Sequence, residues 1–172
     1  MPTLNQINRF FSAEFSSVFG AVYEHSPWIA QRAFALKPAA GFASRAAVHA
    51  VLVATVQSAS EDEKIKLLNA HPELAGKEAA AATLTHESTR EQAAAGLSAM
   101  TDEDVAQLRK LNVAYRAKFD FPFIIVARNN CQEAIFGAIK SRLLNTRAME
   151  FNNNLMQVGE IARLRLLDII TE

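Results

Sequence analysis

One cysteine in 172 residues, Cys131, has no partner within the chain, which excludes an internal disulfide framework and any multi-cysteine zinc or iron–sulfur site. Such sparing use suits a reducing compartment. Six glycines and five prolines are few for this length, and alanine is abundant, so the backbone is pushed toward helix. Charge of one sign is missing too. Eighteen Lys+Arg balance eighteen Asp+Glu, and the basic residues fall only in scattered pairs, which argues against a nucleic-acid partner. No apolar run reaches the roughly 18 residues that a membrane-spanning helix needs. The opening Met1-Pro2-Thr3-Leu4 lacks the layout of a secretory signal, and Ile170-Thr171-Glu172 is not a Ser-Lys-Leu type of peroxisomal address. The expectation is a soluble, cytoplasmic protein that binds neither nucleic acid nor membrane.

Half of the chain is hydrophobic and 21% is charged, enough apolar material for a sizeable core. The length favours one domain over residues 1–172. Helix starts recur: Ser26-Pro27 before Trp28, Ser44 before the run Ala46 to Val56, and Thr101-Asp102-Glu103-Asp104 before Val105 and Leu108. Ser60 to Glu63 and Ser88 to Glu91 both have capping-box spacing. From Arg147 to Ile170, Phe151, Leu155, Val158, Ala162, Leu166 and Ile169 form the apolar stripe of one long amphipathic helix. No strand alternation is found. The fold class predicted is all-α, a compact bundle of about seven to nine helices. The alanine-rich stretch Glu78 to Thr83 fits helix or loop. One segment breaks the helical rule: Lys118 to Arg128 is aromatic and β-branched, and Pro122 pushes Phe121 out of the α region. It reads as a buried extended stretch leading to a helix near Asn130. Its backbone needs hydrogen-bond partners, and either a packed connector or a bound ligand can meet that need.

Familiar catalytic motifs are absent, including Gly-x-Gly-x-x-Gly and Gly-x-Ser-x-Gly, and the histidines His25, His49, His71 and His86 show no metal-ligand spacing. The most informative heptad is His71-Pro72-Glu73-Leu74-Ala75-Gly76-Lys77. Pro72 disfavours helix at His71, placing the imidazole at a helix break in an exposed, fixed setting. With an ordinary pKa of about 6.5 it suits proton transfer near neutrality. A histidine at a helix C-terminus also interacts favourably with the helix dipole, and the spacing alone leaves both readings open. Glu91 is equally double: the last member of a Ser88 capping box, or a carboxylate working beside Ser88 and Gln92. Of Arg163 and Arg165, at least one should face away from the core, and the other would suit a bidentate carboxylate clamp.

These residues carry a resemblance over nearly the whole chain. The pattern Phe19-Gly20-x-Val22-Tyr23-Glu24-x-Ser26-Pro27-Trp28, the His71-Pro72-Glu73-Leu74-Ala75 core, Ser88-x-x-Glu91-Gln92, Leu111-Asn112-x-x-Tyr115, Lys118-Phe119-x-Phe121-Pro122-Phe123-Ile124 and Leu164-Arg165-Leu166 resemble the 2-oxo-4-hydroxy-4-carboxy-5-ureidoimidazoline (OHCU) decarboxylases. The resemblance implies an all-helical homodimer that forms (S)-allantoin in urate degradation without a cofactor or metal. By motif, His71 and Glu91 are its implied catalytic pair. Pro72, Ser88, Thr89, Arg90, Glu91, Gln92, the backbone of Phe123, Ile124, Ile125, Val126 and Ala127, and Arg165 are its implied substrate contacts. A non-enzymatic helical module using the same residues to hold a small anion or a partner helix is the competing expectation.

Overall fold

The computed structural model describes residues 1–76, 79 and 81–171. The heptad's last residue, Lys77, and Glu78 and Ala80 of the alanine-rich stretch lie outside the described residues. Among those described, nine α-helices run in the order α1 Leu4–Arg9, α2 Ser12–Phe19, α3 Trp28–Ala35, α4 Arg45–Ser58, α5 Glu61–Asn69, α6 His86–Ala94, α7 Asp102–Phe119, α8 Gln132–Arg142 and α9 Arg147–Ile169. Single 3-10 turns sit at Leu97–Ala99 and Ala127–Asn129. No strand occurs among the described residues, where Thr3 and Thr171 form an isolated bridge. The all-α expectation holds. No helix is long and apolar enough to cross a membrane, among the described residues.

The caps explain most of the boundaries. Ser44 Oγ accepts the Ala47 amide, Thr101 Oγ1 accepts the Asp104 amide, and Ser60 with Glu63 forms the reciprocal box read from the sequence. The second predicted box is not formed. Thr85, not Ser88, caps α6: its hydroxyl accepts the Ser88 amide at 3.3 Å, and Ser88 is buried inside the first turn. Both side chains can cap equally well, so local preference did not separate them. Starting one turn earlier puts the acidic Glu87 at the positive helix end and turns Ser88 and Gln92 inward. Glu91 is therefore an interior helix residue, half-buried.

The chain forms two compact units, Met1–Ala70 with Gly159–Glu172, and His71–Val158. In the first, α2 packs on α3 and α3 on α4 around Phe15, whose ring lies 4.6 Å from Phe19 and 5.7 Å from Phe34. In the second, a cluster of aromatic rings replaces the aliphatic centre of an ordinary bundle. Tyr115 meets Phe119 at 4.6 Å and Phe123 at 5.4 Å, and Phe119 stacks on Phe121 at 6.1 Å. Helix α7 stops at Asp120, in the left-handed region with φ 68, and Pro122 prevents its resumption. Residues 121–126 then run without helix to the 3-10 turn, and α8 begins at Gln132, two residues beyond the position expected.

Candidate active site

The second unit assembles the loop after α5, helix α6 and the extended segment. His71 follows the α5 cap Ala70 as the break before Pro72 requires, but its setting is not exposed: only 7% of its surface is accessible. The expectation erred because a helix break says nothing about what packs over it. Three helix-borne side chains hold the loop. Gln92 Oε1 of α6 accepts the Ala75 amide at 3.0 Å, Asn112 Nδ2 of α7 donates to the Leu74 carbonyl at 2.9 Å, and Arg109 Nε donates to the Ala75 carbonyl at 3.2 Å. An Arg116–Glu73 ion pair at 2.7 Å adds a fourth tether. These bonds offset a real cost, because Ala75 sits at φ 50, where a non-glycine residue loses about 1–2 kcal/mol.

Along α6 the predicted residues divide by face. Ser88 and Gln92, four apart, are buried, and Glu91 beside them is half-buried. Thr89 and Arg90 are exposed and lie away from that inner strip. Thr89 instead lines a cavity of about 310 Å³ with Ala75, Leu84, Gln92, Ala93 and Arg109. At its far side α6 packs on the 3-10 turn Ala127–Asn129, bringing the end of the extended segment alongside. Helix α6 closes at Gly96, whose φ of 73 a side chain would strain and whose carbonyl receives Gln132 Nε2.

The extended segment is saturated on one edge. Asn154 of α9 accepts the Ile124 amide at 3.2 Å and donates to the Pro122 carbonyl at 2.9 Å, while Gln157 accepts the Val126 amide at 3.0 Å. Arg142 of α8 donates to the Ile124 carbonyl at 2.8 Å and to Asn154 Oδ1 at 2.7 Å. So the Ile124 and Val126 amides, expected as ligand donors, already have protein partners. Those of Phe123 and Ile125 have no hydrogen-bond partner among the described residues. Behind Arg142 lies Glu150, fully buried, which takes Arg142 Nε at 2.8 Å, Asn145 and Asn153 at 2.7 Å each, and the Tyr115 hydroxyl. Burial pushes the Glu150 carboxyl up, but the bonds from Asn145, Tyr115 and Asn153 and the Arg142 charge outweigh it and hold it below the usual carboxylate range. Burial, then the bond to Glu150, pushes the Tyr115 hydroxyl up. Arg142, Asn154 and Gln157 were not singled out from the sequence, and Asn112 entered only within the Leu111–Tyr115 pattern. The available signal was polar residues inside apolar stripes, as Asn112 is between Leu108 and Tyr115.

Of Arg163 and Arg165, one faces outward as expected, and packing decides which. Arg163 pairs at the surface with Glu160 through two bonds of 2.7 and 2.8 Å. Arg165 is buried in the first unit, its Nη1 3.0 Å from Glu24 Oε2 and 3.4 Å from the Val22 carbonyl.

A family model described as OHCU decarboxylase matches residues 8–167. The chain is 34% identical over 172 residues to the uric acid degradation bifunctional protein PucL of Bacillus subtilis, covering all of this chain but 33% of that protein. It is thus similar to about a third of that bifunctional relative's length. It is also 34% identical to the 2-oxo-4-hydroxy-4-carboxy-5-ureidoimidazoline decarboxylase of Haloferax volcanii, over 96% of this chain and 95% of that protein. Among solved structures, a crystal structure of (S)-allantoin synthase aligns with a TM-score of 0.78 at 29% identity, over 99% of this chain and 54% of that one.

Proposed function

Because the chain belongs to the OHCU decarboxylase family, we propose that it removes carbon dioxide from 2-oxo-4-hydroxy-4-carboxy-5-ureidoimidazoline to give (S)-allantoin, without a cofactor. The observation that carries this reading is the tethering of the His71 loop to the Glu91-bearing helix through Gln92 and Ala75. The substrate carries its carboxylate on a ring carbon next to a C=N bond. When the carbon–carboxylate bond breaks, its electron pair forms a C=C bond to the neighbouring imine carbon, and the C=N pair moves onto nitrogen, which takes up a proton. The hydroxyl-bearing carbon then becomes the ring carbonyl by losing its O–H proton, as a proton reaches the former C=N carbon from one face. His71 delivers that proton, held by a loop whose Leu74–Ala75 peptide is pinned at both its carbonyl and its amide. Glu91, in the interior of α6, shares the proton transfer or orients the imidazole. The amides of Phe123 and Ile125 supply donors for the ureido and ring carbonyls, whose charge grows as the bond breaks. Ser88 and Gln92 line the same side of α6. Arg165 is assigned to the substrate carboxylate by its family position, and its burial with Glu24 supports a fixed guanidinium.

Residues 1–167 and their short tail are read as one family unit, because a single family model spans residues 8–167. A homodimer working in the cytoplasm is the assembly and location that the family resemblance and the sparing use of cysteine favour. Light scattering on the purified protein reads the first and cell fractionation the second. The test of the activity is freshly generated OHCU mixed with pure protein and followed by circular dichroism. (S)-Allantoin forming faster than the uncatalysed reaction supports the reading. Racemic product at the uncatalysed rate, with ligand still bound, makes the protein a binding module.

A further inference from the structure

We propose that Asn154 and Gln157 of α9, with Arg142 of α8, are positioning residues that choose which backbone amides of the extended segment face the substrate; this rests on the decarboxylase reading. The argument is one of parity. In extended backbone, successive peptide groups point to opposite sides, as in a strand. The Pro122 carbonyl, the Ile124 amide and carbonyl and the Val126 amide are all engaged by these three side chains. That is every second residue. The alternate amides, Phe123 and Ile125, are left on the other side without a hydrogen-bond partner among the described residues.

Helix α9 thus does the work of a neighbouring strand. The primary amide of Asn154 copies a peptide group, accepting from one residue and donating to another two positions away. Asn154 and Gln157 are three apart, about 4.5 Å along a helix, whereas Ile124 and Val126 are about 6.6 Å apart when extended. The extra methylene of Gln157 spans the difference. Arg142 fixes Asn154 in turn, through Oδ1, and its guanidinium lies 4.7 Å from the centre of the Phe123 ring. A slip by one residue would present the opposite set of amides and rotate Phe123 out of the aromatic core, where 1% of it is exposed.

Gln157 gives the cleanest test, because it is only part-buried and a carboxylate can replace its acceptor. In Gln157→Met the Val126 amide loses its partner, whereas Gln157→Glu keeps an acceptor at the same reach. Amide exchange should show Val126 protected in the wild type and in Gln157→Glu, and exposed in Gln157→Met. kcat/KM for OHCU should fall about tenfold to 10²-fold in Gln157→Met and recover to within about threefold in Gln157→Glu, at unchanged melting temperature between the two variants. Titration of the nitrogen-15-labelled wild type with (S)-allantoin should move the Phe123 and Ile125 amide resonances more than those of Ile124 and Val126. An active wild type whose Gln157→Met variant matches it in kcat/KM, or whose Ile124 and Val126 resonances move most, overturns the positioning role while leaving the decarboxylase reading intact. A wild type that produces no (S)-allantoin defeats the decarboxylase reading itself, and the substrate-facing role of these amides falls with it.

Discussion

His71 carries the proton chemistry in this mechanism, so its replacement should separate turnover from folding. In His71→Asn the amide keeps one hydrogen bond but cannot exchange a proton near neutral pH, and kcat should drop about 10²–10⁴-fold. The side chain is buried, yet no apolar core group is removed, so the urea midpoint should shift little while (S)-allantoin binds within about an order of magnitude of wild type. Loss of binding and folding together would make His71 a structural residue. Glu91→Gln is sharper now that Thr85 is seen to cap α6. Turnover should fall with the melting temperature unchanged, and wild-type turnover would remove Glu91 from the chemistry. For the arginines, Arg165→Lys retains a charge for Glu24 but loses the planar fork and its reach to the Val22 carbonyl. KM for OHCU should rise clearly, whereas Arg163→Lys, in a surface pair, should leave both KM and stability close to wild type. The reverse ranking of the two KM values would move the clamp to Arg163.

Between the elements, the buried polar group centred on Glu150 joins α7, α8 and α9 and supports the extended segment. Its carboxylate is held below its ordinary pKa, so it binds protons less readily folded than unfolded. Its stabilising contribution is therefore complete above the unfolded value of about 4.3 and is lost as pH falls through the lower folded value. Glu150→Gln leaves Arg142 without its buried partner and should cost about 3–5 kcal/mol near pH 7. Chemical denaturation at about pH 7 and about pH 3 should show the gap between wild type and variant narrowing in acid. A gap that widens would mean that Glu150 is protonated in the native state.

Among the described residues no group of three or more His, Cys, Asp or Glu is placed to hold a metal ion, and the substrate brings its own electron sink. Dialysis against a strong chelator should leave the rate of (S)-allantoin formation unchanged in the circular dichroism assay. Activity lost and then restored by added zinc or magnesium would defeat the cofactor-free mechanism.

Helix content, most helix starts and the broken helix at Pro122 were legible in the residues themselves, because caps, proline geometry and apolar period act over a few neighbours. The same holds for His71 at a helix break and for one of Arg163 and Arg165 facing outward, though not for which. What neighbours in sequence do not encode was decided by packing. Thr85 and Ser88 are equivalent caps until the fold buries one of them, and the burial of His71 depends on what covers the loop rather than on Pro72. The stripe of α9 was read as apolar, yet its first half buries Glu150 and Asn154, because a non-helical segment lying against it has backbone groups to satisfy. Which amides of that segment are occupied and which remain for a ligand depends on side chains about 30 residues away, Asn154 and Gln157. Sequence periodicity records where a chain can be buried; only the tertiary structure settles the hydrogen-bond partners that burial then requires.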